Sequence, residues 1–137
     1  MRLWLARSLI GMVLIFNLQC AIAFLWKPGD FAPAFELTNI STTGIVRGFG
    51  VLFLMWNVPY IVAFINPQRY RLSLYESIAM QTIGLVGETI IFLTLPSSTL
   101  IVQATLLRFI TFDAAGLAAL SVAALLSRPD SFLNTTS

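Results

Sequence analysis

Four long apolar stretches, separated by short polar breaks, organise this chain. They cover residues 3–26, 44–65, 74–95 and 100–126. The first is apolar apart from Arg7, Ser8, Asn17 and Gln19. A hydrocarbon core of roughly 30 Å takes about 20 helical residues, so each stretch is long enough to cross one. A barrel strand needs only about 10 residues. Lipid offers the backbone no partners, which favours helices that pair their own amides. The breaks fall at Lys27-Pro28-Gly29-Asp30, Asn66-Pro67, Pro96-Ser97-Ser98 and Arg128-Pro129. Proline lacks an N–H and pushes the preceding residue out of helical geometry, so it marks helix ends. Pro59 inside the second stretch predicts a kink there. The pattern predicts an all-α fold, a four-span transmembrane antiparallel helix bundle in a single membrane domain over residues 1–137. No tandem repeat or low-complexity linker divides it.

Composition supports a bilayer as the solvent. The chain is 58% hydrophobic and 10% charged, against about 45–50% and 25% in soluble domains. The formal net charge of +2 supplies no broad basic stripe, so nucleic acid is not an expected partner. There is no histidine, which excludes His-ligated haem, His zinc sites and His-based triads. The lone Cys20 cannot form an internal disulfide or a CxxC pair. No Gly-rich phosphate loop, nucleophile elbow or metal-ligand cluster is visible. No catalytic residue, metal or cofactor is therefore assigned.

Arginines set the expected orientation. With the N-terminus inside, Arg2, Arg7, Arg69, Arg71 and Arg128 lie on the cytoplasmic side. Lys27 alone lies in the first outer loop, with Asp30 and Glu36. Both termini are expected to be cytoplasmic, in a plasma or bacterial inner membrane. Trp4, Trp26, Tyr70 and Tyr75 fall near the predicted interfaces. The first outer loop, residues 27–43, carries Phe31, Pro33, Phe35 and Leu37, which predicts a segment folded back on the membrane surface. Asn39-Ile40-Ser41 and Asn134-Thr135-Thr136 match the glycosylation pattern, the second on the cytoplasmic side. Arg2, Arg7, an apolar run and Ala21-Ile22-Ala23 also match a secretory signal with its cleavage site. The apolar run continues through Phe24, Leu25 and Trp26, which favours a retained first span. Gln19 before Cys20 is bulky where a lipoprotein signal takes a small residue.

Candidate chemistry lies in the polar residues within the spans. An ionisable residue at a helix centre costs roughly 2.5–3.5 kcal/mol on insertion scales. Arg47, Glu88, Arg108 and Asp113 are such residues, two cations and two anions. Glu88 lies about 10 Å below the outer end of the third span, and Arg108 about 12 Å below that of the fourth. A very short turn joins these spans, so they are expected to be antiparallel neighbours. Glu88 and Arg108 should then meet in direct or one-water contact, with Arg47 as a third member and Asn17 and Gln19 nearby. Ser77, Gln81, Gly84 and Glu88 form one helical stripe, and Ala104, Arg108, Thr111 and Ala115 a second. Gly44-x-x-x-Gly48 and Gly84/Gly87 suggest close helix approach. Asp113 lies about 140° around the helix from Arg108, so it is expected to face a different neighbour, with Asn57 at similar depth. Phe53, Trp56 and Phe64 are expected to face lipid or neighbouring helices. The Arg69 and Arg71 loop sets topology, or attracts anionic headgroups at roughly 1 kcal/mol per arginine.

The plan resembles the DoxX-like group of small four-helix membrane proteins. The residues carrying it are Gly44-Ile45-Val46-Arg47-Gly48-Phe49-Gly50, Asn66-Pro67-Gln68-Arg69-Tyr70-Arg71, the Glu88 span and a small-residue-rich last helix. The resemblance implies the fold, and for some members a link to oxidoreductase systems; it assigns no catalytic residue here. Two function classes remain. One is a non-enzymatic accessory or assembly subunit of a larger membrane complex. The other is a protein binding a small amphipathic ligand or lipid in an outward-facing polar cavity, in support of an oxidoreductase or alone. A fully packed polar core would favour the first. A cavity of a few hundred Å3 at Arg47, Glu88 and Arg108 would favour the second.

Overall fold

The four apolar stretches are helices in a computed structural model, which describes residues 1–36, 42–96 and 98–128. Helix α1 covers Arg2–Trp26. A short α2 (Pro28–Phe31) and a 3-10 turn (Ala32–Phe35) follow. Then come α3 (Thr42–Ile65), α4 (Arg71–Thr94) and α5 (Leu100–Leu126). No strand occurs among the described residues. The four long helices are each long and apolar enough to cross a membrane, so this is an all-α, multi-pass membrane protein. Leu37, Ser97, Pro129, Asn39-Ile40-Ser41 and Asn134-Thr135-Thr136 lie outside the described residues.

Local chemistry sets the helix ends. Pro28 opens α2 at its first turn, where a missing N–H removes nothing. Arg7 Nε donates to the Phe64 carbonyl at 3.0 Å, and its guanidinium lies over the Trp4 and Phe64 rings. A cation there complements the unpaired carbonyls at the C-terminal end of α3. Asn66 Oδ1 accepts the Gln68 and Arg69 N–H groups at 3.1 and 3.0 Å. That turn brings α4 back beside α3. Helix α3 runs on through Pro59.

The spans form a ring in chain order. Helix α1 packs on α3 and α5, and α4 packs on α3 and α5, while the backbones of the two diagonal pairs stay apart among the described residues. The end of the bundle that carries residue 1, the turn after α3 and the end of α5 is tightly filled. Ile10, Val13, Ala63, Leu74, Leu120 and Ala123 form its core. At the opposite end α2 and the 3-10 turn fold back, and they pack over the end of the bundle itself. Phe24, Ala32 and Val46 are buried there against Phe35, Phe49, Phe53 and Phe109. The Thr105 hydroxyl donates to the Ala34 carbonyl at 2.9 Å, and Phe35 stacks on Phe109 at 6.4 Å. This cap rests on α1, α3 and α5, and its backbone stays clear of α4 among the described residues. The buried residues of α4 are Leu74, Ser77 and Gln81, all in its first half. Past Gln81 the helix leaves the packed core.

Close approach occurs at glycines other than most of those expected. Gly44, Gly48 and Gly87 face open space, whereas Gly84 is covered by Asp113. Gly11 lies against Phe64, Gly50 against Leu25 and the Ala21 carbonyl, and Gly116 against Gln81. Spacing alone marks a glycine pair, but only the rotation of the helix decides whether it meets a neighbour.

Candidate functional site

Where α4 leaves the core, a cavity of about 250 Å3 lies among the four spans. Helix α1 contributes Phe16, Asn17 and Cys20, and α3 contributes Phe53, Trp56 and Tyr60. Met80, Gln81 and Glu88 come from α4, and Arg108, Phe109, Phe112 and Asp113 from α5. Phe16 meets Phe112 edge to face at 6.1 Å, and Phe53 meets Trp56 likewise at 6.1 Å. Six of the thirteen lining residues are aromatic. Phe53 and Trp56, expected against lipid or other helices, line the cavity.

A chain of hydrogen bonds crosses from α3 to α5. The Tyr60 hydroxyl donates to Gln81 Oε1 at 2.7 Å, and lies 3.1 Å from the Ser77 carbonyl. Gln81 Nε2 donates to Asp113 Oδ1 at 2.8 Å. Asn17 adjoins the Tyr60 hydroxyl, bringing α1 to the same polar layer. Each bond joins groups that lipid would leave unsatisfied.

The α4 stripe is realised: Ser77 and Gln81 are buried, Gly84 meets Asp113, and Glu88 lines the cavity. The α5 stripe is not. Ala104, Arg108, Thr111 and Ala115 are all exposed. The inward face instead follows Phe109, Asp113, Gly116, Leu120 and Ala123. Helix α5 is apolar on nearly every side, so periodicity does not select a face. Asp113 accordingly turns toward α4, against the expectation of a separate neighbour. Arg108, one residue before Phe109, stands exposed at the cavity rim.

Glu88 and Arg108 both line the cavity, but no direct ion pair joins them among the described residues. Glu88 Oε2 is buried and has no hydrogen-bond partner. Arg47 is exposed near the start of α3 and does not line the cavity, so it is not a third member. Gln19 is exposed on α1. Asn57 is buried beside this layer without lining the cavity. Its Nδ2 donates to the Phe53 carbonyl at 2.6 Å, while its Oδ1 has no partner.

Sequence reasoning missed Tyr60 and the aromatic walls. A tyrosine inside the predicted second span, rather than at its end, was the available signal, since a phenol in hydrocarbon needs a partner. Among the described residues no three His, Cys, Asp or Glu side chains converge as metal ligands. The arrangement can solvate a polar group at Glu88 and stack apolar or aromatic surface around it. Neither a protein-family model, nor a curated protein, nor a solved structure matches the chain.

Proposed function

We propose that this protein holds a small amphipathic molecule, or the head of a lipid, in the cavity among its four spans. The observation that carries the reading is the buried, unpartnered Glu88 oxygen beside a cavity of about 250 Å3. A buried polar group without a partner costs about 1–3 kcal/mol, which a ligand donor or cation would offset. Aromatic walls favour the apolar part of such a ligand, and Arg108 stands at the mouth. With both termini cytoplasmic, as the arginine bias implies, the cavity lies in the outer half of the membrane. Native mass spectrometry after mild detergent extraction tests this. The wild type should carry a bound small molecule or lipid, lost when Cys20→Trp fills the cavity. Equal occupancy in both proteins would place that molecule outside the cavity and sink the reading.

A second reading, an accessory subunit of a larger membrane complex, has its own support. The half of α4 beyond Gln81 contains no buried residue, which leaves it a face for another membrane protein. Co-purification of a stoichiometric protein partner in the same spectra would favour it. The likeness to the DoxX-like group is compatible with either role, including support of an oxidoreductase.

A further inference from the structure

The cavity combines aromatic rings with two carboxyl groups. Glu88 and Asp113 both line it, whereas its one cationic side chain, Arg108, is exposed at the rim. Asp113 accepts a hydrogen bond from a neutral amide, Gln81, at 2.8 Å. Glu88 Oε2 accepts none. Neither carboxyl group is in a direct ion pair among the described residues, so a ligand cation would be the counter-charge that lets one ionise. Around them stand Phe16, Trp56, Phe109 and Phe112, whose ring faces attract cations. An alkylated ammonium matches both features. Its charge is spread over carbon surface, so it loses little hydration in an aromatic site, and it complements a carboxylate without needing N–H donors.

The cavity also limits size. About 250 Å3 falls below the roughly 300–1,000 Å3 of drug-sized pockets, which admits a headgroup with little beyond it. The cap lies over α1, α3 and α5 with its backbone clear of α4 among the described residues, and α4 has no buried residue past Gln81. That side offers a path from the bilayer for an amphiphile whose tail stays in lipid.

We infer that the ligand is an organic ammonium amphiphile, held with its cationic head among the aromatic rings and against Glu88. This rests on the cavity being a binding site. The test compares benzyltrimethylammonium with neopentylbenzene, its neutral isostere, on protein in maltoside micelles, which contain no ammonium. Trp4→Phe and Trp26→Phe leave Trp56 in the cavity wall as the fluorescent reporter. The cation should bind saturably and at least about tenfold more tightly than the isostere, as charge recognition by rings and a carboxylate requires. Glu88→Gln should erase that preference, and Arg108→Gln should tighten cation binding by removing a like charge at the rim. Equal binding of both probes overturns the ammonium assignment and leaves the cavity reading intact. Failure of the cation, the isostere and benzyl alcohol alike overturns both. Should Glu88→Gln fail to fold, the comparison of the two isosteres on the wild type decides the point.

Discussion

Gln81 and Asp113 tie α4 to α5 through a 2.8 Å hydrogen bond, and each of the two side chains rests on a glycine of the opposite helix. Asp113 covers Gly84, and Gln81 covers Gly116 with its Nε2 only 2.6 Å from where a Cβ would stand. The glycines give the polar pair its space. A larger residue at either position forces one partner aside and strains the bond.

Gly84→Ala and Gly116→Ala should therefore each destabilise the bundle by about 1–3 kcal/mol, the usual range for overpacking. Gly87→Ala on the same helix has nothing within 4 Å to meet. It should be neutral, or stabilise slightly because alanine favours helix. Thermal melts in one detergent compare the three. A Gly87→Ala loss as large as that of Gly84→Ala would show that helix propensity, not the Asp113 contact, governs the site.

Tyr60→Phe removes the hydroxyl that joins α3 to Gln81 at 2.7 Å. Interhelical hydrogen bonds in membranes average about 0.6 kcal/mol and reach about 1.7, so the loss should fall in that range. In a double-mutant cycle, Tyr60→Phe with Gln81→Leu should lose less than the sum of the single changes. Strict additivity would mean the two side chains do not interact.

The fold was legible because its signals are strong and redundant. Proline at 28 and 67 and apolar runs of membrane length placed the helices to within a few residues. The facing of α4 was legible too, because Ser77, Gln81 and Gly84 stand out against an apolar background. The facing of α5 was not. A helix apolar all round carries no moment to orient it, and lipid accepts whichever side the packing leaves out. The inward face was set by tertiary fit, Asp113 over Gly84 and Gly116 under Gln81. Arg108 and Asp113 then exchanged the roles that charge pairing alone implied. The cavity itself, being a lack of packing, has no signature in a linear pattern.

Orientation rests on the arginines and is open to direct measurement. In a Cys20→Ser background, Ser98→Cys and Gln68→Cys place thiols at exposed positions in opposite turns. An impermeant maleimide added to intact cells should label position 98 alone, because Arg69 and Arg71 hold the other turn inside. Labelling of position 68 alone would invert the protein and move the cavity to the inner half of the membrane.

Glu88 and Arg108 supply the sharpest contrast between charge pairing and the observed packing. Breaking a buried ion pair by removing one partner costs about 3–5 kcal/mol, because the other charge is stranded. Here Glu88 Oε2 already lacks a partner, and Arg108 is exposed. Glu88→Gln should therefore leave the melting temperature unchanged or raise it, since an amide is easier to bury than an uncompensated carboxylate. Arg108→Met should also be mild, as Arg108 is exposed and has no ion-pair partner to strand among the described residues. The double variant should equal the sum of the two within about 0.5 kcal/mol, as for residues that do not interact. A large loss in Glu88→Gln, partly recovered on adding Arg108→Met, would reveal a pair joined through water. Glu88 would then be a structural group, leaving no free carboxylate for a ligand.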